Sequence, residues 1–413
     1  MLTKENSRLF YRLILSIYFL YIVSIGVKLV YSAQMVEIGP YFGASKSQLS
    51  IGITIYYIVY AIAQLVLYFL LPKLNIKKFI IVTVTLSGIS FGLIGFLTKL
   101  WMIWLVFGLN GIFQVAIWGG SMSILGKYLP DSLTNKSILI MSTGMAVGTG
   151  LSYGLSAFCT ALFSWKLTFI IFSVATIISV VFFATTVSKI EKTFNNLYKS
   201  VYSPQKAQPM VTAKTGNTGY IIKILFFLSL AAFLTSFLYY ALTNWYPSLL
   251  KEVHKVPSSF SQLITLLVPL GTFFGPFLSN YLSDKKRSYY MSSAILTIIF
   301  MAVAIPLIFT YNLHIVIAIF FPLVLMFCVR GILNNVSSYA SFQHRDYLEV
   351  GKTSLISNAV ACVSAALAPL VSSLIMESYG WGKFFAFLLI VSAVIFAVSI
   401  IGHFCIKPKQ INK

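Results

Sequence analysis

Read for hydrophobic and polar positions alone, the chain is a succession of long apolar runs separated by short polar breaks. Twelve runs are delimited: residues 11–35, 48–71, 78–98, 101–126, 137–163 and 166–188, then 220–247, 258–282, 289–311, 313–341, 352–377 and 382–405. Each is about as long as the roughly 20 residues that cross a bilayer core. A backbone in lipid must satisfy its own hydrogen bonds, so each run is predicted as an α-helix. The basic start (Lys4, Arg8, Arg12) before the first run has the look of a signal peptide. The run is too long for one and no small-residue cleavage site follows, so it is taken as span 1. Between runs six and seven, residues 189–219 are polar, with Pro204, Pro209, Gly216, Gly219 and five lysines. This stretch reads as a cytoplasmic linker between a six-helix half at 1–188 and a second at 220–413. The predicted fold is all-α, with twelve transmembrane helices in two halves.

Composition fits that picture: 58% of residues are hydrophobic and 9% charged. A chain so poor in charge cannot cover a water-soluble surface, which makes it a polytopic membrane protein. The net charge of +21 would suggest a nucleic-acid partner in a soluble protein. Its distribution excludes that reading. With both termini cytoplasmic, 22 of the 30 Lys and Arg fall in inner segments and six in outer ones. The excess is therefore topology, plus attraction to anionic lipid of the cytoplasmic (inner) membrane. Trp101, Trp104, Trp165, Trp245 and Trp381 fall at the predicted outer ends, as an interfacial aromatic belt does. Cys159, Cys328, Cys362 and Cys405 lie far apart in apolar segments, so neither disulfides nor metal ligands are expected. No paired carboxylates, nucleophile with base, zinc spacing or cofactor motif appears, and no enzyme activity is expected.

Lys28 and Arg330 are the two basic residues inside spans. Lys28 lies 16 residues past Arg12 in the first span. A charge at such depth costs about 2.5–3.5 kcal/mol on insertion scales. Tyr21, Ser24, Lys28 and Tyr31 follow steps of three and four and share a helix face. Two readings stand for Lys28: a cation facing a cavity that takes an anionic or strongly polar solute, or a side chain that snorkels or bonds helix carbonyls. The same pair of readings applies to Arg330. Polar stripes recur on Tyr57, Tyr60 and Gln64 of span 2, on Asn110, Gln114 and Trp118 of span 4, on Ser236, Tyr239, Tyr240 and Thr243 of span 7, and on Arg330, Asn334 and Ser338 of span 10. They read either as the lining of an aromatic, amide-rich cavity or as hydrogen bonding between helices. Gly144, Gly148, Gly150 and Gly154 read as close-packing positions of span 5. All nine acids lie in loops or at span ends. Proton-driven carriers usually bury a titrating carboxylate, so the pattern favours exchange or facilitated movement of an anion.

The halves repeat each other, Phe107-Gly-Leu-Asn110-Gly111 in span 4 aligning with Phe327-Cys-Val-Arg330-Gly331 in span 10. Two six-span halves joined by a basic linker resemble the major facilitator transporters. The segment Gly275 to Arg287, with Ser283, Asp284, Lys285, Lys286 and Arg287, is similar to the signature loop of that superfamily. The resemblance implies that Asp284, Lys285 and Arg287 latch the inner gate. The equivalent loop of the first half keeps Lys73, Lys77 and Lys78 without an acid.

Within the superfamily, Asn110-Gly111-Ile-Phe-Gln114-Val-Ala-Ile-Trp118 and Asn244-Trp245-Tyr-Pro247-Ser-Leu-Leu-Lys251-Glu252-Val253 resemble runs of the organophosphate:phosphate antiporters. By that resemblance Lys28 stands where the family carries one phosphate-gripping arginine. Its second arginine falls on Tyr239, its span 2 lysine on Gln64 and its span 5 histidine near Met145, so three of the four phosphate-binding groups that the resemblance implies are absent. The expectation is a monomeric alternating-access carrier of a small anionic or polar, organophosphate-like metabolite, exchanging it for phosphate or coupling it to protons. Lys28, Tyr60, Gln64, Asn110, Gln114, Tyr239, Tyr240 and Arg330 are the expected substrate contacts. Two alternatives are an uptake carrier for an amino acid, nucleoside or similar nutrient, and a membrane-bound solute sensor.

Overall fold

The structure, a computed structural model, describes residues 4–70, 74–129, 131–201, 218–286, 288–336, 340 and 350–406. These residues form long helices: α1 (Lys4–Phe42), α2 (Lys46–Leu70), α3 (Ile76–Leu93), α4 (Leu100–Phe113), α5 (Ala116–Tyr128), α6 (Asp131–Leu162) and α7 (Trp165–Val201). There follow α8 (Thr218–His254), α9 (Ser258–Ile264), α10 (Leu267–Lys286), α11 (Tyr289–Thr310), α12 (Ile315–Asn334) and α13 (Val350–Cys405). Few ends are capped by side chains, among them Asn75 accepting from the Lys78 N–H and Ser288 from the Met291 N–H. Apolar length, and not capping, defines these elements.

Among the described residues, eleven helical stretches are long and apolar enough to cross a bilayer. The last, Ser357–Cys405, has 49 residues and is interrupted at Gly380, whose φ of 78° and ψ of 178° lie outside any helix. A positive φ of that kind is one that glycine adopts without strain. The break turns the stretch into two crossings, which brings the total to the expected twelve. Two other spans are interrupted more gently. Span 4 is split into α4 and α5 at Gln114–Val115, and span 8 into α9 and α10 at Thr265–Leu266.

The described residues fall into two compact units, one from Met1–Ala44 and Ile55–Lys206, the other from Ser45–Thr54 and Ala207–Lys413. In the first, α1 packs on α6 and α7, and α3 on α7. A hydrophobic core in it gathers Leu13, Ile17, Ile80, Ile124 and Phe183, all 3% exposed or less. In the second, α13 packs on α8 and α11, and α10 on α12. The first turns of α2 belong to this second unit. Lys46 pairs with Glu252 at 2.9 Å, the Ser47 N–H donates to Glu377 at 2.7 Å, and Thr54 Oγ1 donates to the Ala366 carbonyl at 2.7 Å. Trp381 Nε1 adds a bond to Glu252 at 3.1 Å.

Two sequence expectations change here. Polarity starts the linker at Lys189, but α7 continues unbroken to Val201, with Ile190 fully buried; residues 202–217 lie outside the described residues. Of the span 5 glycines, Gly144 and Gly148 do meet α1. A Cβ on Gly144 would lie 2.6 Å from the Tyr21 ring, and one on Gly148 would lie 2.9 Å from the Ile22 carbonyl. Gly150, in contrast, faces open space, with nothing within 4 Å of a Cβ placed on it. It is not a packing position.

Candidate functional site

In the first unit, α1 presents Ser24 and Lys28 one turn apart, and α2 presents Tyr56, Tyr60 and Gln64 at i, i+4 steps. The half-buried Lys28 places its Nζ 4.7 Å from the centre of the Tyr60 ring. An ammonium over an aromatic face at that distance is a cation–π pair, worth about 0.5–2 kcal/mol depending on desolvation. Gln64 Nε2 donates to the Tyr60 hydroxyl at 3.0 Å. Beneath Tyr60 the rings continue: Tyr56 lies 6.1 Å from it, Phe107 of α4 4.8 Å from Tyr56, and Tyr31 of α1 4.6 Å from Phe107, all stacked. Gly111 makes this possible, since a Cβ there would lie 2.5 Å from the Tyr56 carbonyl and 3.0 Å from the Tyr60 nitrogen.

Asn110 and Gln114 sit deeper and take a different part. Asn110 is fully buried; its Oδ1 accepts from Ser87 Oγ at 2.7 Å, and its Nδ2 donates to Ser90 Oγ at 3.0 Å and the Val106 carbonyl at 3.1 Å. Gln114, 1% exposed, donates to Ser87 Oγ at 2.9 Å and accepts from Ser24 Oγ. These bonds tie α1, α3 and α4 together. Both residues therefore fill the bonding role and, in this conformation, line no open surface. Ser87 and Ser90 are the partners that sequence reading missed. Their i, i+3 spacing in an otherwise apolar span is the signal that points to them.

In the second unit the half-buried Arg330 of α12 places its guanidinium carbon 5.7 Å from the Tyr239 ring centre, and Tyr239 meets Tyr240 edge-on at 5.3 Å. Tyr239 is 9% exposed and Tyr240 half-buried. Each unit thus seats its in-span cation on a tyrosine face. One helical turn on, Asn334 donates to Ser279 at 3.1 Å and Asn280 at 2.8 Å, and Asn335 is bonded to Ser283, Ser292 and Ser293.

At the end of α10, Asp284 and Lys285 are exposed, Lys285 lies over the Tyr281 ring, and Arg287 lies outside the described residues. The first-half loop, which has no acid of its own, finds one on α7. Lys77 pairs with Glu191 at 2.6 Å, and Tyr128 donates to the other oxygen of the same carboxylate at 2.8 Å. Among the described residues no group of His, Cys, Asp or Glu is arranged to hold a metal ion.

Long apolar helices with buried polar networks and a cation seated inside a span in each unit are those of a multi-pass membrane protein. The chain belongs to the Major Facilitator Superfamily, whose family description matches residues 14–347. Its fold is similar to that of a bacterial homolog of the human lysosomal transporter Spinster, at 15% identity and a TM-score of 0.80, covering 96% of this chain and 98% of that one. It is also similar to a mutant of the nucleoside transporter NupG, at 13% identity and a TM-score of 0.69, covering 95% and 99%. At such identities the likeness is one of fold. A comparison with curated proteins finds no match.

Proposed function

We propose that this transporter moves a small anionic metabolite across the cytoplasmic membrane by alternating access, with both termini on the cytoplasmic side and Lys28 as the group that meets the anion. The observation that carries this reading is the Lys28 ammonium, half-buried within a membrane span and set on the face of Tyr60. A positive charge at that depth is costly to place, and a solute anion is the kind of ligand it would attract. Tyr60 and Gln64 stand beside it, and Arg330 with Tyr239 and Tyr240 is the second candidate contact group. Asn110 and Gln114 hold helices together and are left out of the contact set. Phosphate or a proton is the proposed exchange or coupling partner, and the working unit is a monomer.

A second reading, uptake of a neutral nutrient, is favoured by one observation: Gln64 and Tyr239 stand where the organophosphate antiporter resemblance expects a lysine and an arginine. Exchange in proteoliposomes separates the two. The purified protein is loaded with or without phosphate and offered phosphorylated sugars, carboxylates, amino acids and nucleosides. The anion reading predicts counterflow of at least one anionic solute. Flux confined to a neutral solute would overturn it.

A further inference from the structure

The Lys28–Tyr60–Gln64 geometry goes further than a list of contacts. A lysine side chain has four rotatable bonds, and on its own its ammonium samples a wide volume. Here the ring of Tyr60 lies under it at 4.7 Å, and that ring is fixed from two sides. Its hydroxyl accepts from Gln64 one helical turn away at 3.0 Å. Its face belongs to the stack that runs through Tyr56 and Phe107 to Tyr31, and Tyr31 stands on α1 three residues after Lys28. The rings therefore close a circuit from the helix that carries the ammonium, through α4 and α2, back to the ammonium itself. Such a circuit links α1 to α2 at this level, beside the charge.

We propose that Gln64 and Tyr60 are positioning residues for Lys28: Gln64 orients the Tyr60 ring by its hydroxyl, and the ring face holds the ammonium where it meets the anionic group of the solute. The last clause rests on the reading of Lys28 as the anion contact. On this account Gln64 acts on Lys28 through the Tyr60 hydroxyl. The aromatic face, rather than the hydroxyl, holds the charge, because cation–π attraction arises from the ring quadrupole.

The test is the environment of Lys28 itself, read by NMR on protein carrying biosynthetic 13C-lysine, with the Lys28 signal identified by its loss in Lys28→Arg. Protons over a ring face resonate upfield, so the Lys28 ε-protons are expected upfield of the other lysines in the native protein and, moved part of the way back, in Tyr60→Phe. They should return to the ordinary lysine position in Tyr60→Leu. Gln64→Leu should move them part of the way, and should add nothing in a Tyr60→Phe background, where the hydroxyl is already gone. An ordinary Lys28 position in the native protein, or one unmoved by Tyr60→Leu, would overturn the proposal. So would an additive effect of Gln64→Leu in the Tyr60→Phe background. If Tyr60→Leu does not fold, the Gln64→Leu and Tyr60→Phe pair decides alone. Uptake by Lys28→Ala is a separate measurement. Full uptake there sinks the anion reading while the NMR outcome still decides the positioning.

Discussion

Asn110 accepts one hydrogen bond and donates two, all within the first unit, and every bond goes to the wall of its own helix bundle. A polar stripe on a transmembrane helix looks the same in sequence whether it faces a cavity or a neighbouring helix. For that reason Asn110 and Lys28 were both visible as candidates, yet Asn110 bonds neighbouring groups while Lys28 lies on a ring face. Lys28 was legible because a charge in hydrocarbon demands an explanation. Its seat on Tyr60 was not, because the pairing depends on the register of α1 against α2, which no local pattern encodes. If Asn110 is interhelical bonding, Asn110→Ala should lower stability by about 1 kcal/mol, between the ~0.6 kcal/mol average for interhelical bonds in a bilayer and the ~1–3 kcal/mol of an orphaned buried group. A thermal melt in detergent should show the fall while the apparent KM for a transported solute stays unchanged. A raised KM with an unchanged melt would return Asn110 to the solute pocket.

Gly111 and Gly331 are the clearest link between the two halves at the level of helices. In the sequence they align as Asn110-Gly111 and Arg330-Gly331. In the structure each brings span 4 or span 10 against the backbone of span 2 or span 8 of its own unit. A Cβ on Gly331 would lie 2.9 Å from the Gly275 carbonyl, as one on Gly111 would lie 2.5 Å from that of Tyr56. The repeat was legible because a glycine demanded by backbone contact leaves no alternative residue. The span 5 glycines show the limit of the same argument, since spacing alone does not separate Gly148, pressed on α1, from Gly150, which faces nothing. Gly111→Ala should force α2 and α4 apart and cost about 1–3 kcal/mol, as overpacking does. Gly150→Ala should be neutral or slightly stabilising, by up to about 1 kcal/mol from helix propensity. Melts of the two variants side by side check this; equal behaviour would mean that the contact at Gly111 is relieved elsewhere. The extension of α7 to Val201 carries a related lesson. Polarity marks where a chain leaves the bilayer and not where a helix ends.

For the molecule as a whole, the apolar runs carried most of the information. Twelve crossings and their order follow from length and hydropathy. Even the break at Gly380 coincides with the short polar stretch that separates the last two runs. What hydropathy does not carry is chemistry: the acid that Lys77 lacks in its own loop is supplied by Glu191 from the far end of α7, more than a hundred residues on. A membrane fold of this kind accommodates many solutes, and the site alone distinguishes them. The central proposal is that the solute is an anion met by Lys28. Its most direct test is uptake into proteoliposomes by Lys28→Ala, purified folded and monodisperse, beside the native protein. The anionic solute moved by the native protein should no longer be transported by the variant. Native-level uptake of that solute by Lys28→Ala would contradict it.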